Sequence, residues 1–117
     1  MTKEDKELLF RDLCARVPYG VKVQYMNNIF VIDYVSPMYG EVKLDISDNW
    51  TVGVSEVKPY LFPLSSITKK RLEELSEYID IKNAYVAVDL LNSHHIDYRG
   101  LIEKGLAIDA TNLNIYC

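Results

Sequence analysis

The densest cluster of chemically capable side chains is His94-His95-Ile96-Asp97. Imidazole and carboxylate together ligate divalent metals or share general acid and base work. Adjacent helical residues point about 100° apart, so both histidines turning to one ion is awkward. A metal site would also need Asp89 or Glu103, and no spacing demands them. The plainer reading is a helix C-terminus, where histidine complements the dipole, followed by an aspartate that caps the next element. A metal-dependent hydrolase built on His94, His95 and Asp97 is therefore the remote reading, and no metal ligand set is assigned.

Asp97-Tyr98-Arg99-Gly100 places a phenol beside a guanidinium at the expected start of a short helix. That fork, with free backbone donors, could clamp a carboxylate or phosphate; the same pair could instead fix the helix against a sheet. Lys69-Lys70-Arg71 puts cations at the start of another expected helix, where they oppose the macrodipole. The placement suits phosphate or an acidic partner, but Glu73 and Glu74 follow Lys69 and Lys70 by one helical turn and largely offset the field, so a solvated face is the plainer reading. Asp33 interrupts an apolar strand; if buried it needs Lys22 or Lys43, and the plainer register sends it to solvent. Tyr19, Tyr25, Phe30, Tyr34, Tyr39, Trp50, Tyr60 and Phe62 all fall in the expected sheet and its crossover. Such rings stack on bases, anchor protein interfaces or, most often, pack across strands. The candidate binding set is Tyr98, Arg99, Lys69, Lys70, Arg71 and Trp50. There is no P-loop, GxGxxG, GxSxG, CxxC or HExxH, and no cofactor is expected.

The elements that must position these residues follow from period. Thr2 and Asp5 resemble a capping box, and Leu8, Leu9, Leu13 and Val17 recur at near-helical spacing. This predicts a helix over 3–16, with Cys14 a buried thiol, stopped by Pro18 and Gly20. Val21, Val23 and Tyr25 alternate with polar residues, and Asn27-Asn28 suits a type I′ hairpin. Ile29 to Val35 is apolar on both parities except Asp33, which predicts a central strand covered on both faces. Val42, Leu44 and Ile46 predict a third strand, and Trp50, Val52 and Val54 a fourth, weakened by Gly53. The result is a four-stranded antiparallel meander that can curl toward a small open barrel. Lys58-Pro59-Tyr60-Leu61-Phe62-Pro63 is expected as an extended crossover pressed on the core. Ser66 or Thr68 caps a second helix with the stripe Leu72, Leu75 and Ile79. A third helix is expected over 82–94, and Asp97 caps a short last one, Tyr98 to Glu103, ended by Gly105. Leu106 to Asp109 can add a final strand.

The segments Leu13–Gln24, Val57–Pro63 and Asp97–Ala107 resemble a family of small uncharacterised proteins encoded in prophages and mobile elements of gut anaerobic bacteria. The resemblance carries no activity, cofactor or catalytic residue. It implies a cytoplasmic, phage-related origin, a setting in which small acidic proteins serve as accessories or inhibitors that bind a host macromolecule.

Composition bounds the rest. The chain has 117 residues, 49% hydrophobic and 26% charged, with a formal net charge of −4. That is one α+β domain, 1–117: an N-terminal helix, the meander, and C-terminal helices packed on the sheet. The acidic balance argues against a dedicated nucleic-acid binder, whose footprint must be basic. No apolar run approaches a membrane span, and the N-terminus, Met1 to Glu7, lacks a secretory pattern. A cytoplasmic location follows as the expectation, with Cys14 and Cys117 unbridged in a reducing compartment. The expected function is a non-catalytic, phage-related interaction protein that binds a host or phage protein. A nucleotide or single-stranded nucleic-acid binder is the alternative.

Overall fold

The computed structural model describes residues 2–36, 40–45, 51–66 and 84–116, with side chains from residue 88 onward in the last span. Helix α1 spans Lys3–Arg16. Thr2 caps it, its Oγ1 accepting from the Asp5 N–H at 3.0 Å. Glu4 and Asp5 in the first turn and Arg16 in the last complement the macrodipole. Pro18 sits in the short turn Val17–Tyr19, which Gly20 closes at φ 71°.

The buried stripe of α1 is Leu9, Asp12, Leu13 and Arg16. This i, i+3, i+4, i+7 set replaces the expected Leu8, Leu9, Leu13 and Val17, of which Leu8 and Val17 only flank the core. Asp12 and Arg16 can enter the interior because they lie four residues apart on one face and pair with each other. Cys14 lies off this stripe and is exposed, against the expected buried thiol.

Against α1 lies an open, mostly antiparallel sheet. Its strands are β1 (Lys22–Tyr25), β2 (Asn28–Ser36), β3 (Glu41–Leu44), β4 (Val52–Gly53), β5 (Lys58–Pro63), β6 (Ile96–Asp97) and β7 (Ile108–Asp109). The order is β4-β3-β2-β1-β5-β6, with β7 also on β5. The meander strands are thus one part of a larger sheet. Lys58 to Pro63 is no crossover but a strand antiparallel to β1, with Val23 opposite Pro59. β5 in turn pairs in parallel with β6 and β7. Leu9 and Leu13 pack with Val21, Val23, Ile32, Val42, Leu44 and Leu61 to form the core, joined by Leu101 and Leu106 from the C-terminal region.

Several local expectations shift. The hairpin turn is Met26-Asn27, at φ 48° and 66°, between the paired residues Tyr25 and Asn28. The central strand β2 is not covered on both faces: Ile32 is buried, while Ile29 and Tyr34 stay about half exposed. A bulge between Ile32 and Tyr34 sets Tyr34 opposite Lys43 and sends Asp33 to solvent, where Lys43 meets it at 2.8 Å. Val54 leaves the fourth strand for a short turn, Val54–Glu56. Helix α2 covers Ala84–Ser93 and packs against α1 and β6. Tyr98 to Glu103 is not a helix. The chain instead makes one Schellman-type turn, with Leu106 N–H to Leu101 O at 2.9 Å, Gly105 N–H to Ile102 O at 3.1 Å, and Gly105 at φ 73°. The expected second helix, Ile46, Trp50, Pro37 and Tyr39 lie outside the described residues. Among the described residues, no helix is long and apolar enough to cross a membrane.

Candidate functional site

The polar centre of the molecule grows from the last two turns of α1. Arg16 has no exposed surface, and neither has Asp12. Arg16 Nε donates to Asp12 Oδ2 at 2.7 Å and Nη2 to Oδ1 at 3.1 Å, a side-on fork. Nη2 also donates to the Ile96 carbonyl at 2.6 Å, bridging 80 residues of chain. Arg99 Nη1 donates to Asp12 Oδ1 at 2.9 Å and to Tyr98 Oη at 2.8 Å. Tyr98 Oη donates to Asn92 Oδ1 at 2.9 Å, and both guanidiniums lie near the Tyr98 ring, with centroids 5.3 and 4.6 Å away. Tyr98 and Arg99 are therefore brought together as expected, but they tie α1 to the C-terminal region; Arg99 already holds an internal carboxylate. The carboxylate that this pair holds is Asp12 of the same chain.

The histidine cluster separates. α2 ends at Ser93, and His95 takes φ 59° just beyond it. His94 is exposed, whereas His95 is 8% exposed and stacks on Tyr116 with centroids 3.7 Å apart. Burial, then the Arg16 charge, pulls the His95 pKa down to about 4. Both Asp97 oxygens accept backbone N–H bonds, from Leu101 and Ile102 at 2.9 Å each. Asp97 is thus a cap, of a turn rather than a helix. Among the described residues, no three His, Cys, Asp or Glu side chains converge as a metal ligand set.

Tyr116 fastens the C-terminal segment to the sheet. Its hydroxyl donates to the Tyr60 carbonyl at 2.7 Å and accepts from the Lys22 N–H at 2.9 Å, while Lys22 Nζ donates to the Ile115 carbonyl at 2.7 Å. Burial pushes the phenol up to about 12.

Of the other expected site residues, Trp50, Lys69, Lys70 and Arg71 lie outside the described residues. Asp12, Arg16, Asn92, Tyr116 and Met26 were not among the residues singled out by sequence. The first two carry only the i, i+4 spacing of a helical ion pair, which exposed helices share. Met26 stands at the tip of the β1–β2 hairpin with a positive φ and is 75% exposed. Ile29 follows it on β2, and Tyr34 beyond the bulge carries Lys43 Nζ 5.9 Å from its ring centroid. A cleft of about 510 Å³ lies between α1 and the β3–β4 end, lined by Lys6, Phe10, Arg11, Glu41 and Val54 among others. No family model, curated protein or solved structure matches the chain.

Proposed function

We propose that the protein is a non-catalytic, phage-related interaction protein of the cytoplasm, which docks a host or phage protein through the β1–β2 hairpin and the outward side of β2. The observation that carries this reading is Met26. A type I′ turn asks for Asn, Asp or Gly where φ is positive. Methionine there is backbone-strained, and at 75% exposure it also leaves its apolar side chain in water. A residue that contradicts its local rules twice marks a place where function overrides fold. Methionine is also an adaptable contact residue on binding surfaces. Ile29 and Tyr34, each about half exposed, extend the apolar contact along β2. The Asp33–Lys43 pair, at 2.8 Å, supplies a polar rim.

The test compares the intact chain with the double variant Met26→Asn, Ile29→Thr in affinity capture from the bacterial host, followed by mass spectrometry. The reading expects one dominant protein with the wild type, lost with a variant whose thermal stability is equal or higher. Equal recovery with both, or recovery of nucleotide or nucleic acid in place of a protein, would overturn it.

A further inference from the structure

We propose that the segment 111–116 is an autoinhibitory strap: Tyr116 fills, within its own chain, a slot that reads a tyrosine residue, and a tyrosine-bearing peptide segment of a second molecule takes the slot when the strap lifts. The slot holds the phenol from several sides. The ring stacks on His95, with centroids 3.7 Å apart and planes 13° from parallel. Phe62 tilts against it at 5.9 Å, and Lys22 Nζ lies 5.8 Å from its centroid. The hydroxyl accepts from the Lys22 N–H at 2.9 Å and donates to the Tyr60 carbonyl at 2.7 Å. Lys22 Nζ donates to the carbonyl of the preceding residue, Ile115, at 2.7 Å. A carbonyl followed by a phenol is the pattern of tyrosine in a peptide. Phenylalanine in the same place would leave the Lys22 N–H and the Tyr60 carbonyl without the hydroxyl that joins them.

The strap fills a gap in the seam between β1 and β5. These strands pair at Val23 with Pro59 and at Gln24 with Lys58. Pro59 has no N–H to give to the ladder. The next groups along, Lys22 N–H and Tyr60 C=O, are joined through the Tyr116 hydroxyl. From Thr111 to Asn114 the strap is exposed. Thr111 and Leu113 donate back to Asp109 and Ala110, at its root. Among the described residues, its hydrogen bonds to β1 and β5 come from Ile115 and Tyr116. Asn112 and Asn114, at φ 66° and 54°, are left-handed joints between root and anchor. Lifting the strap therefore undoes one anchor and leaves the β1–β5 register pairs in place. An incoming tyrosine competes with an intramolecular one, so the strap sets the threshold for binding.

The test offers N-acetyl-tyrosinamide to the intact chain and to its variant Tyr116→Ala, read by Tm and by the ring resonances of His95. Tyr116→Ala empties the slot and should bind the probe saturably, with a rise in Tm and the upfield shift that a stacked ring imposes on His95. The wild type should bind at least about tenfold more weakly, because its strap competes. Saturating probe should there speed amide exchange over 111–116. N-acetyl-phenylalaninamide should bind Tyr116→Ala about tenfold more weakly than the tyrosine probe, for its two missing hydroxyl bonds. p-Cresol, which lacks the carbonyl, should also bind more weakly. Should Tyr116→Ala fail to fold, Tyr116→Phe serves in its place: its strap keeps the ring without the hydroxyl bonds, so it should bind the probe more tightly than the wild type. Any of four results overturns the proposal: no saturable binding, equal affinity for the two amides, p-cresol binding as tightly as the tyrosine probe, or wild type and variant binding alike.

Discussion

Deleting the Asp12 carboxylate leaves the fully buried Arg16 without its counter-ion. Asp12→Ala should therefore lower unfolding free energy by about 3–5 kcal/mol in urea titration. The double change Asp12→Leu, Arg16→Met should cost clearly less than the two single changes summed, since no charge is stranded. Arg99→Ala should cost about 1 kcal/mol or less, because its side chain is 25% exposed and screened. His95 sets a pH dependence with a defined sign. Its pKa falls from 6.5 in the open chain to about 4 in the fold. Between those values the unfolded chain takes up a proton that the folded one refuses, so stability falls as pH drops through that window. The full loss is on the order of 3 kcal/mol. Titrations at neutral pH and near pH 4 should show that loss in the wild type and little of it in His95→Phe. At this scale the sequence was least informative. Asp12 and Arg16 carry only the i, i+4 spacing of a helical ion pair, while their partners Ile96 and Arg99 arrive from the far end of the chain.

Elements were more legible where local chemistry decides them. The span of α1 follows from Thr2, the helical spacing of its leucines and the Pro18–Gly20 stop; strands β1 and β3 follow from alternation. The hairpin was displaced by one residue because Met26 hides a positive φ that residue type alone assigns to Asn28. The prolines of β5 specify extended chain, and its apolar content suits a crossover and a strand equally; the pairing with β1 decides for the strand. β6 and β7, two residues each, exist as strands only because β5 is there to pair with. The hairpin yields a prediction of its own. Met26→Asn relieves left-handed strain and should raise unfolding free energy by about 1 kcal/mol, seen as a higher midpoint in urea. In the reading proposed above, the same change weakens partner capture, so stability and binding move in opposite directions.

Across the whole molecule, β5 is the seam: antiparallel to β1 on the meander side, parallel to the short strands of the C-terminal region. Tyr116 reinforces that seam through Lys22 and Tyr60. Tyr116→Phe should cost about 1–2 kcal/mol and speed amide exchange over residues 110–116. The α+β class was legible from the order of helical and alternating segments. The sheet's size was not, since strand order depends on pairings remote in sequence. The bond from Arg16 to the Ile96 carbonyl has a consequence for synthesis. While the ribosome is still making the chain, α1 and the meander can assemble, but the guanidinium that belongs at their centre has no interior to enter. The nascent N-terminal portion must wait, wet and open on one side, until the segment carrying Ile96 and Arg99 has emerged and closed over it.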